Sequence, residues 1–173
     1  METFLEILKY ILPSIIVFLT AYFILKAQLD NFEKRSRFEL KLENQKIVTP
    51  VKLQAYERLI LLLERVSPET LIVRVSITGK TNQQLQNELL RNIRAEFEHN
   101  LSQQLYVSVK AWEIVINARE SIVKQINTFA LKVKPNSPAI ELSKEILESQ
   151  INIKHLPARL AIDFLKNEAY KYF

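Results

Sequence analysis

The sequence predicts an all-α protein: an N-terminal transmembrane helix, a helical stalk, and a bundle of about five helices. Three observations predict it. Residues Tyr10–Leu25 carry no charge, apolar residues recur at steps of three and four through much of the rest, and the 173 residues contain one glycine. All-β folds need many turn residues with positive φ, and phosphate-cradling loops need clustered glycines. Hydrophobic residues make up 48% and charged ones 25%, enough apolar matter for a core and too little charge for global disorder. The absence of cysteine excludes disulfides, thiol nucleophiles and thiolate metal sites. Residues 1–26 are read as the anchor, 27–48 as the stalk and 49–173 as the bundle.

Sixteen helical residues from Tyr10 to Leu25 span about 24 Å, short of a hydrocarbon core of roughly 30 Å. Phe4, Leu5, Ile7 and Leu8 extend the stretch, Lys9 and Lys26 reach the interfaces, and Tyr10 and Tyr22 suit the headgroup zone. Pro13 lies near the start of the run, where a missing donor costs least. A cleaved signal peptide would want a basic start and small residues at a cleavage site. Glu2 and Glu6 stand against Lys9, and Ile24-Leu25-Lys26 lacks that pattern. Ser14 and Thr20 are too few for the polar stripe of a soluble helix. Lys9 precedes the run, whereas Lys26, Lys34, Arg35, Arg37, Lys41 and Lys46 follow it. The positive-inside rule then puts the N-terminus outside and the C-terminal part in the cytoplasm.

The stalk has neither Gly nor Pro and mixes both signs of charge. Leu25, Leu29, Phe32, Leu40 and Leu42 form an intermittent seam able to pair with a second copy, so a homo-oligomer is one expectation. The plainer expectation is a solvated helix held by pairs such as Asp30–Lys34 and Arg35–Glu39. Lys26, Lys34, Arg35 and Arg37 lie near the bilayer. Each basic residue there is worth about 1 kcal/mol at an anionic leaflet, although Glu33 and Glu39 dilute the effect.

Thr49-Pro50 reads as a helix start, a capping hydroxyl followed by proline at the first position. The following helix places Leu53, Tyr56, Leu59, Ile60 and Leu63 on one side. Ser67-Pro68 stops it and restarts a short helix, with an extended loop after Leu71-Ile72. Thr81 caps a helix from Asn82 to about Leu105, striped by Leu85, Leu89, Ile93, Phe97 and Leu101. Ser108 caps the next, with Trp112, Val115, Ile122 and Ile126 inward, ending at Lys134-Pro135. Ser137-Pro138 starts a helix over 140–151. Leu156-Pro157 starts the last, with Leu160, Ile162, Phe164 and Leu165 expected inside.

Chemistry is thin. Glu96 and His99 have the Glu-x-x-His spacing of a helical di-metal ligand pair. One chain cannot complete such a centre, because the other histidine, His155, is preceded by Asn152. A site shared across a dimer, with Glu57 or Glu64, remains as the enzyme alternative. The plain reading pairs Arg94 with Glu98 and Glu96 with Asn100 along the helix. Aspartate occurs only at Asp30 and Asp163, and neither histidine lies beside a candidate serine in a strand-to-helix turn, so no nucleophilic triad is legible. The net charge of +5 is spread among acids without an aromatic platform, so nucleic acid is not an expected partner and a basic lipid or nucleic-acid binder stays the second alternative. The Asn82-Gln83-Gln84 and Asn100–Gln104 clusters read as solvated helix faces, of which the latter, polar and weakly charged, doubles as a docking surface.

The runs LQAYERLILLLERVSP (53–68) and IRAEFEHNLSQQLYVS (93–108), after an N-terminal anchor and before Trp112, resemble an uncharacterised family of short single-pass membrane-anchored helical proteins of Bacteroidota. The resemblance implies a Gram-negative inner membrane and no activity, and it directs attention to Glu96–Gln104.

Together these readings predict a non-enzymatic interaction or assembly module without cofactor, held on the cytoplasmic face of the inner membrane. Its partners are the lipid bilayer and a membrane-associated protein. The docking face is Glu96, His99, Asn100, Gln103 and Gln104, with Glu96 and His99 as weak metal ligands.

Overall fold

A computed structural model describes residues 2–152 and 156–172, with side chains described except at 2–10, 12, 13 and 150–152. The described residues form six α-helices: α1 Glu2–Val66, α2 Pro68–Arg74, α3 Asn82–Asn100, α4 Val109–Ala130, α5 Ala139–Asn152 and α6 Pro157–Ala169. Two 3-10 segments, Leu101–Leu105 and Tyr170–Tyr172, complete the set. Among these residues there is no strand, only an isolated bridge between Thr81 and Pro138. The protein is all-α. It divides into two compact units, Met1–Val48 and Thr49–Phe173.

The first unit is helix throughout its described length. Among the described residues one helix is long and apolar enough to cross a membrane, and none of its apolar window is buried. Phe18, Phe23 and Ile16 stand exposed, a surface that water solvates poorly. Lys9, Tyr10 and Pro13, assigned to the membrane interface or its edge from sequence, have side chains outside the described set. In the stalk the ion pair that forms is Glu33–Arg37, one turn apart, rather than Asp30–Lys34 or Arg35–Glu39. Thr49-Pro50 does not begin a helix: the backbone is helical at both residues and beyond. Proline's fixed φ of about −65° is itself helical, so the helix can pass through it with one backbone hydrogen bond fewer.

In the second unit the sequence-derived helices hold with small shifts. Tyr56, Leu59 and Leu63 are buried as expected, joined by Leu62 and Val66. Pro68 starts α2 and Pro157 starts α6. Thr81 and Gln84 form a reciprocal capping box at α3, and the Ser108 hydroxyl accepts from the Ala111 amide at α4. The α3 stripe Leu85, Leu89, Ile93 and Phe97 is buried, but the helix ends at Asn100 and Leu101 lies outside on the 3-10 turn. Central α4 packs against α3, α5 and α6, burying Val115, Ile122 and Ile126. On α6 the inner face is Ala158, Ala161, Ile162 and Leu165. Leu160 is exposed and Phe164 only half-buried. Ala158, Ala161, Ile162 and Leu165, at steps of three and four, form the buried side of α6, which leaves Leu160 on the outer side.

One polar residue ties the α3 and α5 starts together. Asn82, expected on a solvated face, is buried. Its Nδ2 donates to the Lys134 carbonyl at 2.8 Å, and its Oδ1 accepts from the Leu142 amide at 3.1 Å. Its own amide donates to the Ser137 carbonyl at 2.9 Å, and the Ala139 amide donates to the Lys80 carbonyl at 3.0 Å. Orphan amides at both helix starts are thereby satisfied across the fold rather than within one segment. Gly79, at φ +73°, supplies the left-handed residue of the turn closed by the Lys80 amide on the Ile77 carbonyl.

Candidate docking surface

The α3 C-terminus, the following 3-10 turn and the α4 cap bring most of the sequence-derived face together, then sort it by burial. Helix α3 buries Leu85, Leu89, Ile93 and Phe97, and Asn100, one step of three further on the inner side, is buried too. Its Nδ2 donates to the Glu96 carbonyl at 2.9 Å. Gln103 is also buried, its Nε2 3.4 Å from the Ser102 hydroxyl. His99 and Gln104 are exposed.

Glu96 has a different role from its helix neighbours. Its carboxylate is 15% exposed and lies 3.5 Å from Arg65 Nη1 at the end of α1 and 3.3 Å from Arg74 Nη2 at the end of α2. The expected side-chain pairing of Glu96 with Asn100 does not form. Both guanidinium groups sit at helix C-termini, where positive charge also offsets the helix dipole. The clamp joins α1, α2 and α3 through one acid. Arg119 of α4 lies over the Phe97 ring of α3, 4.8 Å from its centre. Among the described residues no group of three His, Asp or Glu side chains is placed to hold a metal ion. His155 lies outside them.

The apolar part of this surface escaped the sequence reading. Within Leu101–Val109, Leu105 is 77% exposed and Val109 78%, with Leu101 and Tyr106 also exposed. Leu101 was placed in the buried stripe because its spacing continues it. The change from α to 3-10 geometry at residue 101 turns it outward. The signal available in sequence was the Ser108 cap, which already fixed Tyr106 and Val107 as the link between two helices.

Tyr56 lies against the Ser108 cap. Its buried hydroxyl sits beside the Ser108 backbone, the Glu168 carboxylate and the Tyr172 hydroxyl, without a fully formed hydrogen bond among the described residues. Burial pushes its pKa up to about 12, with the nearby Glu168 charge adding to the rise and the Ser108 backbone opposing it. Lys52 Nζ lies 5.1 Å from the Tyr172 ring centre. The basic residues Lys26, Lys34, Arg35 and Arg37 belong to the first unit and are exposed, with Arg37 paired to Glu33.

A family model described as "Family of unknown function (DUF7935)" matches residues 2–172. No curated protein and no solved structure matches the chain.

Proposed function

The chain belongs to the family of unknown function DUF7935, and we propose that it is a single-pass membrane-anchored docking module that recruits or assembles a membrane-associated protein. The anchor rests on one long apolar helix that buries none of its apolar window within the chain. Such a surface calls for lipid around it. The excess of basic residues after the run favours the N-terminus outside and the bundle in the cytoplasm, and the inner-membrane setting is what the family resemblance implies. Lys26, Lys34, Arg35 and Arg37 serve that orientation and meet anionic headgroups.

The observation that carries the docking role is the exposed apolar tip Leu105 and Val109, beside the exposed polar side chains His99 and Gln104. An apolar centre with a polar rim is the make-up of a protein interface. Tethering confines the tip to the membrane surface and raises its effective concentration for neighbours there. In this reading Glu96 holds the surface in shape through Arg65 and Arg74, and no reaction is assigned to it.

The test is a detergent pull-down of the full-length chain beside its Leu105→Asp/Val109→Asp variant, with mass spectrometry. Both substitutions sit at exposed sites, so the fold should persist. The expected result is a co-purifying membrane-associated protein lost with the variant. Recovery of the bait alone, or of the same proteins with both chains, would overturn the docking role.

A further inference from the structure

Along the stalk, Leu25, Leu29, Phe32, Ser36, Leu40, Glu43 and Ile47 follow one another at steps of four, three, four, four, three and four. The pattern repeats every eleven residues, from Leu25 to Ser36 to Ile47. An eleven-residue period corresponds to about 3.67 residues per turn, so on a straight α-helix the stripe drifts only about 20° over each repeat, a mismatch that a slight right-handed supercoil absorbs. Five of the seven positions are large and apolar. Leu29 is 69% exposed, Phe32 73% and Ile47 65%. Leu25, Leu29 and Phe32 line a shallow groove with Gln28, Asn31 and Arg35. Nothing else in the first unit covers this face.

We infer that the stalk pairs in parallel with the stalk of a second copy of this chain through the Leu25–Ile47 stripe. The charges beside the stripe fit such a partner. One flank carries Arg35 then Glu39, positive before negative. The other carries Glu33 then Arg37, negative before positive and at the same spacing of four. Two copies in register set Arg35 two residues from Glu33, and Glu39 two residues from Arg37, of the other copy; Arg35 is equally near Arg37, whose charge is already met by Glu33 on its own helix, so attraction prevails across the seam. The parallel sense rests on the membrane-anchor reading, which inserts every copy from the same side. Glu43 meets its own counterpart in the seam, so the pair is held below the strength of a fully apolar coil.

The cysteine-free chain allows a direct test. Full-length Ser36→Cys, Ile47→Cys and Lys34→Cys variants are oxidised in native membranes with copper phenanthroline, and disulfide-linked dimer is scored on gels. Ser36 and Ile47 lie in the stripe and Lys34 lies opposite it. The expected result is several-fold more dimer from Ser36→Cys and Ile47→Cys than from Lys34→Cys. Adding Glu43→Leu to Ser36→Cys should raise the dimer fraction further. Equal linkage at all three sites, or none, would overturn the pairing; dimer from Ser36→Cys alone would overturn its parallel register. Carbonate extraction of the same membranes separates the two ideas. An anchored chain that fails to cross-link defeats the pairing alone, whereas a chain released by carbonate defeats the anchor whatever its cross-links.

Discussion

Replacing Asn82 by alanine should be among the most damaging polar substitutions in the second unit. Asn82 is 2% exposed, and its side chain serves two buried backbone groups on different segments, the Lys134 carbonyl and the Leu142 amide. Leu142 is itself fully buried, so water does not readily replace the lost acceptor. Each net hydrogen bond is worth about 1 kcal/mol, and an orphaned buried partner adds to that, giving a loss of about 2–4 kcal/mol. The longer contact of Nδ2 with Glu141 Oε2, at 3.4 Å, contributes little. For a unit of this size the melting temperature should fall by roughly 6–12 °C. Urea unfolding of the full-length chain in mild detergent, followed by fluorescence of the single tryptophan Trp112, measures the change. Asn82→Asp keeps the acceptor for Leu142 but loses the donor to Lys134 and adds a carboxylate near Glu141. It should be comparably unstable at neutral pH and recover in part on acidification. A loss below about 0.5 kcal/mol for Asn82→Ala, the level of an ordinary surface change, would refute the bridging role.

Other substitutions test other joints. Gly79→Ala should cost about 1 kcal/mol through its positive φ alone, because an added Cβ meets nothing within 4 Å; Gly79→Asn should cost less by the same urea assay. Tyr56→Phe should leave stability nearly unchanged at neutral pH, since the hydroxyl it removes is buried without a fully formed partner. In the wild-type chain the folded state holds the Tyr56 proton to about pH 12, while the unfolded chain releases it near its ordinary value of about 10. The unfolded state thus binds fewer protons in that window, and stability falls by on the order of 2 kcal/mol as pH rises through it. Tyr56→Phe should remove that part of the alkaline loss, read as a flatter midpoint-against-pH curve. Glu96→Gln should cost about 1 kcal/mol, because both arginines it clamps are about half exposed and solvent weakens each pair; a double-mutant cycle with Arg74→Ala measures the shared part.

What could be read from sequence was what depends on neighbours in the chain. The stripe Leu85, Leu89, Ile93 and Phe97 and the caps Thr81 and Ser108 are local patterns, and they hold. The start signal at Thr49-Pro50 is equally local, yet the helix runs through it. Asn82 reads as a solvated residue from sequence because its partners lie 52 and 60 residues away, and nothing beside it announces them. Glu96 illustrates the same limit at the candidate site. Its spacing to His99 suggests metal chemistry, whereas the charges it meets, Arg65 and Arg74, come from two other helices. Leu101 continues the apolar period of α3 but falls where the helix tightens, so its exposure followed from a change of geometry that periodicity does not record.

Both the docking role and the stalk pairing require the apolar N-terminal helix to be seated in lipid. Alkaline carbonate extraction of membranes holding the full-length chain measures this directly. The intact polypeptide should stay with the membrane pellet and leave it only on adding detergent; intact chain in the carbonate supernatant would contradict the anchor.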